Sequence, residues 1–317
     1  MTILLHADAN DAVAKAAEYI KKGKLVAFPT ETVYGLGADA TNGRAVAAIY
    51  EAKNRPQFNP LIIHVSNIKE AKEIAVFDRQ TEALAGVFWP GALTLVLPKA
   101  RTCMVSELAG AGLDTIAIRI PSKKTALRLI KVSGCPIAAP SANKSGRVSP
   151  TRAEHVIADF RDQIPMVLDD GACQIGLEST ILDLTHGQPT ILRKGGISRE
   201  EIEKFTGPIA ISDNDNESPS APGMMLRHYA TKAPLRLNAT GTNSNEVLLA
   251  FGPEPTGSQE FSVNLSPTAN LKEAAANLFE MLRQLDKLSP KAIAVMPIPE
   301  HGLGAAINDR LRRAAER

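Results

Sequence analysis

Between Leu25 and Pro140, short apolar runs of strand length alternate with segments whose apolar residues recur at helical spacing. That alternation restricts the chain to an α/β architecture built on a mixed sheet. The runs Leu25–Phe28, Leu61–Val65, Leu93–Leu97 and Thr115–Ile120, and the run ending at Pro140, read as strands. Between and around them, Val13, Ala16, Ala17 and Ile20 share one helical face, with Asn10 as the expected cap and Gly23 where a left-handed closing residue is wanted. Val46, Ile49 and Tyr50 mark a second helix that Pro56 stops, and Thr81–Phe88 and Lys123–Val132 mark two more. A helix at Thr151–Phe160 and strands at Met166–Leu168, Ser179–Leu184 and Thr190–Leu192 continue the pattern.

With 317 residues the chain is long for one core, so two domains are expected. Residues 1–208 form the larger one. The stretch SDNDNESPSA, Ser212–Ala221, has no apolar residue able to anchor a core, and the segment 209–235 reads as a linker. Its second half still carries Met224, Met225, Arg227, His228 and Tyr229, which a passive tether does not need. Residues 236–317 repeat the α/β pattern on a smaller scale, with strands at Val247–Phe251 and Ala292–Pro297, a helix at Leu271–Leu285 and a final helix.

The 36 basic and 34 acidic side chains nearly cancel, so nothing global pulls the chain toward nucleic acid or membrane, and any basic patch must be local. Cys103, Cys135 and Cys173 lack CxxC spacing, which argues against a zinc site or disulfide framework and for a reducing compartment. The first twenty residues lack the basic start and apolar run of a signal peptide, and no run approaches the ~18 apolar residues of a membrane span. A cytoplasmic protein is expected.

The chemistry concentrates between Leu25 and Val65. After the first strand, Pro29 to Gly37 reads as a loop, and a helix then delivers Lys53, Asn54 and Arg55 ahead of the strand that carries His64. Gly35, Gly37 and Ala40 fit GxGxxA, but the strand stops six residues too early and the downstream region is cationic, so a dinucleotide fingerprint is rejected. The glycines serve either close ligand approach or the turn itself. No Walker loop, HExxH or GxSxG is present, so a covalent nucleophile has no support. What recurs at strand ends is cations and hydroxyls: Lys53, Arg55, Arg119 and Arg193 with Thr32, Thr115, Ser141, Asn143 and Ser179. Such a set suits phosphate and carboxylate recognition, although each arginine singly could do no more than solvate a strand end. Locally, His64 in LIIHV reads as core, Glu31 as a base or a cap, and His228 and Tyr229 as linker surface.

The runs FPTETVYGLGADA, KNR with NPLIIHV, SAN, LESTILDL and ILRKGGIS closely resemble the YrdC-type threonylcarbamoyl-AMP synthases, and PGMMLRHYATKAPL with INDRLRRAA resembles their longer, two-domain branch. The resemblance implies a twisted mixed sheet with a concave basic cavity, a small Rossmann-like C-terminal domain, and a linker packed over the active site. It implies formation of L-threonylcarbamoyl-AMP and pyrophosphate from L-threonine, bicarbonate or CO2, and ATP. The product would pass to a separate tRNA threonylcarbamoyl transferase for the modified adenosine at position 37 of tRNAs reading codons that begin with A. Thr32, His64, Arg119, Ala139 and Ser179 would hold threonine. Arg55, Asn59, Thr115, Ser141, Asn143, Ser149, Arg193 and Tyr229 would hold ATP, and Lys53 and Arg55 would face the phosphates as the catalytic cations. Mg2+ would be carried mainly by phosphate oxygens. Thr231 stands where the family commonly has proline, which leaves the course of the linker open. Two other classes are compatible with the basic concavity: a double-stranded RNA or tRNA-binding module without chemistry, and a carbamoyltransferase.

Overall fold

The computed structural model describes residues 1–212, 228–253 and 261–316. Met224, Met225 and Arg227 of the expected linker lie outside the described residues.

An 11-stranded twisted sheet runs in the order Ile3–His6, Met166–Asp169, Val26–Pro29, Tyr34–Asp39, Ile137–Ala138, Ile62–His64, Thr115–Arg119, Leu93–Pro98, Thr180–Asp183, Thr190–Arg193, Ala210–Ile211. Parallel and antiparallel neighbours mix, as the alternation of apolar runs and helices predicts. Helices Ala12–Lys21 and Lys124–Ser133 bury Ile20, Leu129 and Ile130 against Val26 and Met166 on one side. The main core, around Leu36, Ile49, Ile63, Leu95 and Phe160, gathers helices Gly43–Lys53, Arg79–Phe88 and Ala153–Phe160.

The second unit is a 4-stranded, wholly parallel sheet in the order Leu235–Arg236, Ala292–Val295, Glu246–Ala250, Ser262–Asn264. Its helices Leu271–Lys287 and Leu303–Ala315 pack Leu278, Phe279, Leu282, Ile307 and Leu311 into one core. That core also takes in Val33, Val148 and Leu177 of the first unit, so the two units share apolar contacts.

Several local expectations change. The loop expected at Pro29–Gly37 is a hairpin whose second strand, Tyr34–Asp39, pairs Gly35 with Phe28 and Gly37 with Val26. Glycine there serves packing: a Cβ on Gly37 would lie 2.7 Å from the Phe28 ring and 2.9 Å from the Ile137 Cγ2. Gly37→Ala should therefore destabilise the fold by ~1–3 kcal/mol through overpacking, lowering the urea midpoint at unchanged m-value. The first helix is entered through Asp11, in a left-handed conformation without a side-chain cap bond, rather than through Asn10. Periodicity did not announce strand Ile3–His6, whose side chains are mostly exposed, or helix Ile68–Ile74, only two turns long. Helix Arg199–Thr206 does carry a sequence signal, the capping box of Ser198 and Glu201. No described helix is long and apolar enough to cross a membrane.

Candidate functional site

The parallel pairing of Ile62–His64 with Thr115–Arg119 sets His64 opposite Arg119. Beside them, the turn of the first hairpin brings Thr30 and Thr32, and the end of strand Ile137–Ala138 brings Ala139, Pro140 and Ser141. These residues, with Arg55, Glu178, Ser179, Arg193, His228 and Tyr229, wall a single pocket that opens to solvent. The cations and hydroxyls scattered along the sequence thus converge, because sheet strands that end together present their loops together.

One end is organised around Arg119, which is 3% exposed. Its Nη2 donates to Glu31 Oε1 at 2.6 Å, its Nη1 to Thr32 Oγ1 at 2.9 Å, and its Nε to the Gly91 carbonyl at 3.0 Å. Burial pushes the Glu31 carboxyl up, but the Arg119 charge, its hydrogen bond and hydrogen bonds from backbone N–H groups together outweigh it, and the net pKa is lowered. Glu31 is therefore the counter-ion of Arg119, and it is neither a base nor a simple cap. Thr30 and Thr32 share a 2.7 Å hydroxyl contact, and Thr30 donates to the Val33 carbonyl, so the turn is locked by its own hydroxyls. His64 lies with Nδ1 3.2 Å from the Ile62 carbonyl and edge-on to Phe28. The local reading of His64 as core holds for its burial, but its ring also lines the cavity.

The other end is built on Arg55 and Arg193. Arg55 donates to the carbonyls of Asn59 and Pro60 at 3.3 and 3.0 Å, and burial lowers its pKa to about 10. Arg193 donates from Nε and Nη2 to the Ser179 carbonyl at 3.1 and 2.8 Å, and from Nη2 to Ser179 Oγ at 3.1 Å. Ser179 Oγ in turn meets Thr94 Oγ1 at 2.7 Å. Tyr229 is no linker surface: at 1% exposure it stacks on Phe279 at 5.6 Å, and beside it His228 is also buried.

Lys53, Asn59, Thr115, Asn143 and Ser149 do not line this pocket. Lys53 is buried behind it and donates to the carbonyls of Ser141, at 2.6 Å, and Asn143. Burial, then the Arg55 charge, holds its pKa well below the usual lysine value. In this arrangement its amine braces the Ser141–Asn143 loop and does not face the cavity. Asn143 Nδ2 donates to the carbonyls of Lys144 and Arg147, tying the same loop, and Ser149 Oγ donates to Glu178 at 2.5 Å. Thr115 shares a sheet face with Ala117 and Arg119 but lies four residues from Arg119, about 13 Å along the strand. Asn59 is wholly buried, and both its side-chain N and its side-chain O lack a partner among the described residues, a cost that a polar ligand would relieve.

Sequence reasoning did not single out Glu178 and Arg310. Glu178 Oε2 accepts from Arg310 Nε at 2.9 Å, and its pKa falls to about 2 because the charges of Arg310 and Arg193 and the hydrogen bonds from Ser149 and Arg310 together outweigh burial. The signal for Arg310 was its place on the apolar face of its helix, with Ile307, Leu311 and Ala314.

Burial lowers the pKa of His64, His155 and His228 to about 3 each. Between pH 6.5 and 3 the unfolded chain binds protons there that the native chain does not, so stability falls as pH drops, by up to ~1.4 kcal/mol per pH unit for each histidine. The urea midpoint should decline from pH 7 to 5, while the imidazole NMR signals of His64 and His228 stay constant from pH 8 to 5. Titration of either ring near pH 6.5 would contradict this.

Among the described residues no group of three or more His, Cys, Asp or Glu could hold a metal ion. The two carboxylates at the pocket are both ion-paired to arginine, and the remaining oxygens are hydroxyls and carbonyls. The arrangement can neutralise and orient anions but offers no nucleophile paired with a base.

Comparison with known proteins places this geometry. The Sua5/YciO/YrdC family model, described as "Telomere recombination", matches residues 18–195. The model described as "Threonylcarbamoyl-AMP synthase, C-terminal domain" matches residues 197–316. The threonylcarbamoyl-AMP synthase of Pyrococcus abyssi is 43% identical over 95% of this chain and 93% of its own length. That of Bacillus subtilis is 41% identical over 96% and 92%. The crystal structure of P. abyssi Sua5 complexed with L-threonine superposes with a TM-score of 0.91 at 40% identity, covering 99% of this chain and 97% of that one.

Proposed function

The chain belongs to the Sua5/YciO/YrdC family in its two-domain, threonylcarbamoyl-AMP synthase form, and from that premise we propose how its pocket makes the adenylate. It is an enzyme that uses ATP to make L-threonylcarbamoyl-AMP, an intermediate of tRNA modification. The observation that carries the reading is the wall of three buried arginines, Arg55, Arg119 and Arg193, interleaved with hydroxyls.

Threonine binds at the Arg119 end, its carboxylate on the guanidinium and Thr32. With Nδ1 donating to the Ile62 carbonyl, neutral His64 keeps Nε2 as an acceptor toward the substrate's hydroxyl or amine. The amine adds to CO2 or dehydrating bicarbonate and loses a proton to give the carbamate. A carbamate oxygen then attacks the α-phosphorus of ATP, and the bond from that phosphorus to the bridging oxygen breaks, releasing pyrophosphate. Arg55 and Arg193, with Ser141, hold the nucleotide and neutralise its charge, and Tyr229 closes the wall. A Mg2+ ion fits a pocket of this donor chemistry if ATP's own phosphates carry it, with Ser141 and Ser179 the nearby neutral oxygens, and it would supply charge neutralisation on the leaving pyrophosphate. The adenylate passes, in the cytoplasm, to a separate transferase that modifies position 37 of tRNA.

The test is pyrophosphate release from ATP and bicarbonate, with threonine, serine or no amino acid. Stimulation by threonine well above serine is expected. The absence of any stimulation by threonine would overturn the reading.

A further inference from the structure

We propose that Arg310, in the last helix of the second unit, is a positioning residue for the nucleotide wall, so that ATP binding in the first unit depends on a side chain of the second. The proposal rests on the functional reading above.

Arg310 is 0% exposed, and its guanidinium touches three separate segments. Nε donates to Glu178 Oε2 at 2.9 Å, and the other oxygen of that carboxylate accepts from Ser149 Oγ. Nη2 donates at 2.8 Å to the carbonyl of Lys194, the residue after Arg193. The guanidinium carbon lies 4.9 Å from the centre of the Tyr229 ring. Phe279, also of the second unit, stacks beneath that ring at 5.6 Å and 18°. Tyr229 has a φ of 63°, a left-handed backbone that a bulky side chain adopts only when its surroundings hold it there.

Arg193 and Tyr229 belong to the proposed ATP wall, and Ser149 backs it through Glu178, which lines the pocket. The threonine end is held differently: Arg119, Glu31, Thr32 and Gly91 bond to one another within the first unit. Plain cohesion between the units is supplied elsewhere, by Arg283 with Asp159, by Arg152 and His155 with Glu280, and by the Gly302 amide with Glu200. Arg310 is thus placed where it orders one side of the pocket.

The experiment measures KM for ATP, KM for threonine and kcat, through threonine-dependent pyrophosphate release, for the full chain and for Arg310→Met, Arg310→Lys and Glu280→Gln. Arg310→Met is expected to raise KM for ATP about tenfold and to leave KM for threonine within about twofold. Arg310→Lys, which keeps a charge for Glu178 but loses the guanidinium's contacts with the Lys194 carbonyl and the Tyr229 ring, is expected to recover part of the loss. Glu280→Gln loosens the junction away from the pocket and should leave both constants unchanged. Should Arg310→Met fail to fold by circular dichroism, the pair Glu178→Gln/Arg310→Met, which removes both members of the Glu178–Arg310 ion pair and leaves Asp309 its second partner Arg313, is read by the same criteria. Equal rises in both constants, no rise in either, or a rise in KM for ATP matched by Glu280→Gln would overturn the proposal. A wild-type chain without threonine-dependent release overturns the functional reading and this inference with it. An active wild type with an unchanged Arg310→Met overturns this inference alone.

Discussion

Arg119→Ala is expected to raise the KM for threonine by two orders of magnitude or more while moving the KM for ATP less than about threefold. Three of the five N–H donors of Arg119 have partners among the described residues, in Glu31, Thr32 and Gly91, so one N–H on each terminal nitrogen remains for a carboxylate. Truncating one member of a buried, hydrogen-bonded charge pair costs ~2–5 kcal/mol, and two orders of magnitude correspond to ~2.7 kcal/mol. The variant also leaves the Glu31 carboxylate, 4% exposed, without its counter-ion, so stability falls too. Glu31→Gln/Arg119→Ala separates the two effects. The pair should regain much of the lost stability in urea denaturation and none of the threonine affinity. Parallel loss of ATP and threonine binding would refute the role assigned to Arg119.

Lys53→Met is the second large effect: a fall of about a hundredfold in kcat/KM for ATP, together with a loss of stability. Methionine matches the stem of the lysine but withdraws the amine that bridges the carbonyls of Ser141 and Asn143. Each buried carbonyl left without a donor costs ~1–3 kcal/mol, and the loop that presents Ser141 to the pocket loses its brace. Because the loop contributes to binding, the loss should lie mainly in KM for ATP and should accompany a lowered urea midpoint. A variant of unchanged stability and unchanged KM, with only kcat reduced, would instead restore the expectation that Lys53 faces the phosphates.

The strand-end cations were legible because an arginine directly after an apolar run has few places to go: Arg119 and Arg193 lie where the runs ending in Ile118 and Leu192 imply. The hairpin at Tyr34–Asp39 was not, because glycine carries no strand signal and the reason for Gly37 is the Phe28 ring across the sheet. Lys53 shows the limit of residue type as a guide. A lysine beside an arginine suggests phosphate, yet burial turned its amine to two carbonyls that lie about ninety residues downstream. His228 and Tyr229 sit in a polar segment without periodicity, and the burial of Tyr229 rests on partners distant in sequence, Phe279 and Arg310 of the second unit among them.

Several bonds that shape the pocket span large sequence separations: 88 residues from Glu31 to Arg119, 90 from Lys53 to Asn143, 132 from Glu178 to Arg310. Each loop must close before its contact returns anything, so folding toward this topology is slow compared with a helical bundle of similar size. It also follows that no fragment or half-folded intermediate owns the site. Threonine and ATP therefore act as ligands of the native state alone, and each adds RT ln(1 + [L]/Kd) to its stability, ~2.7 kcal/mol at a hundredfold excess over Kd. In a cell rich in both substrates, supply of the raw materials is also protection against unfolding, and starvation for threonine withdraws part of that protection.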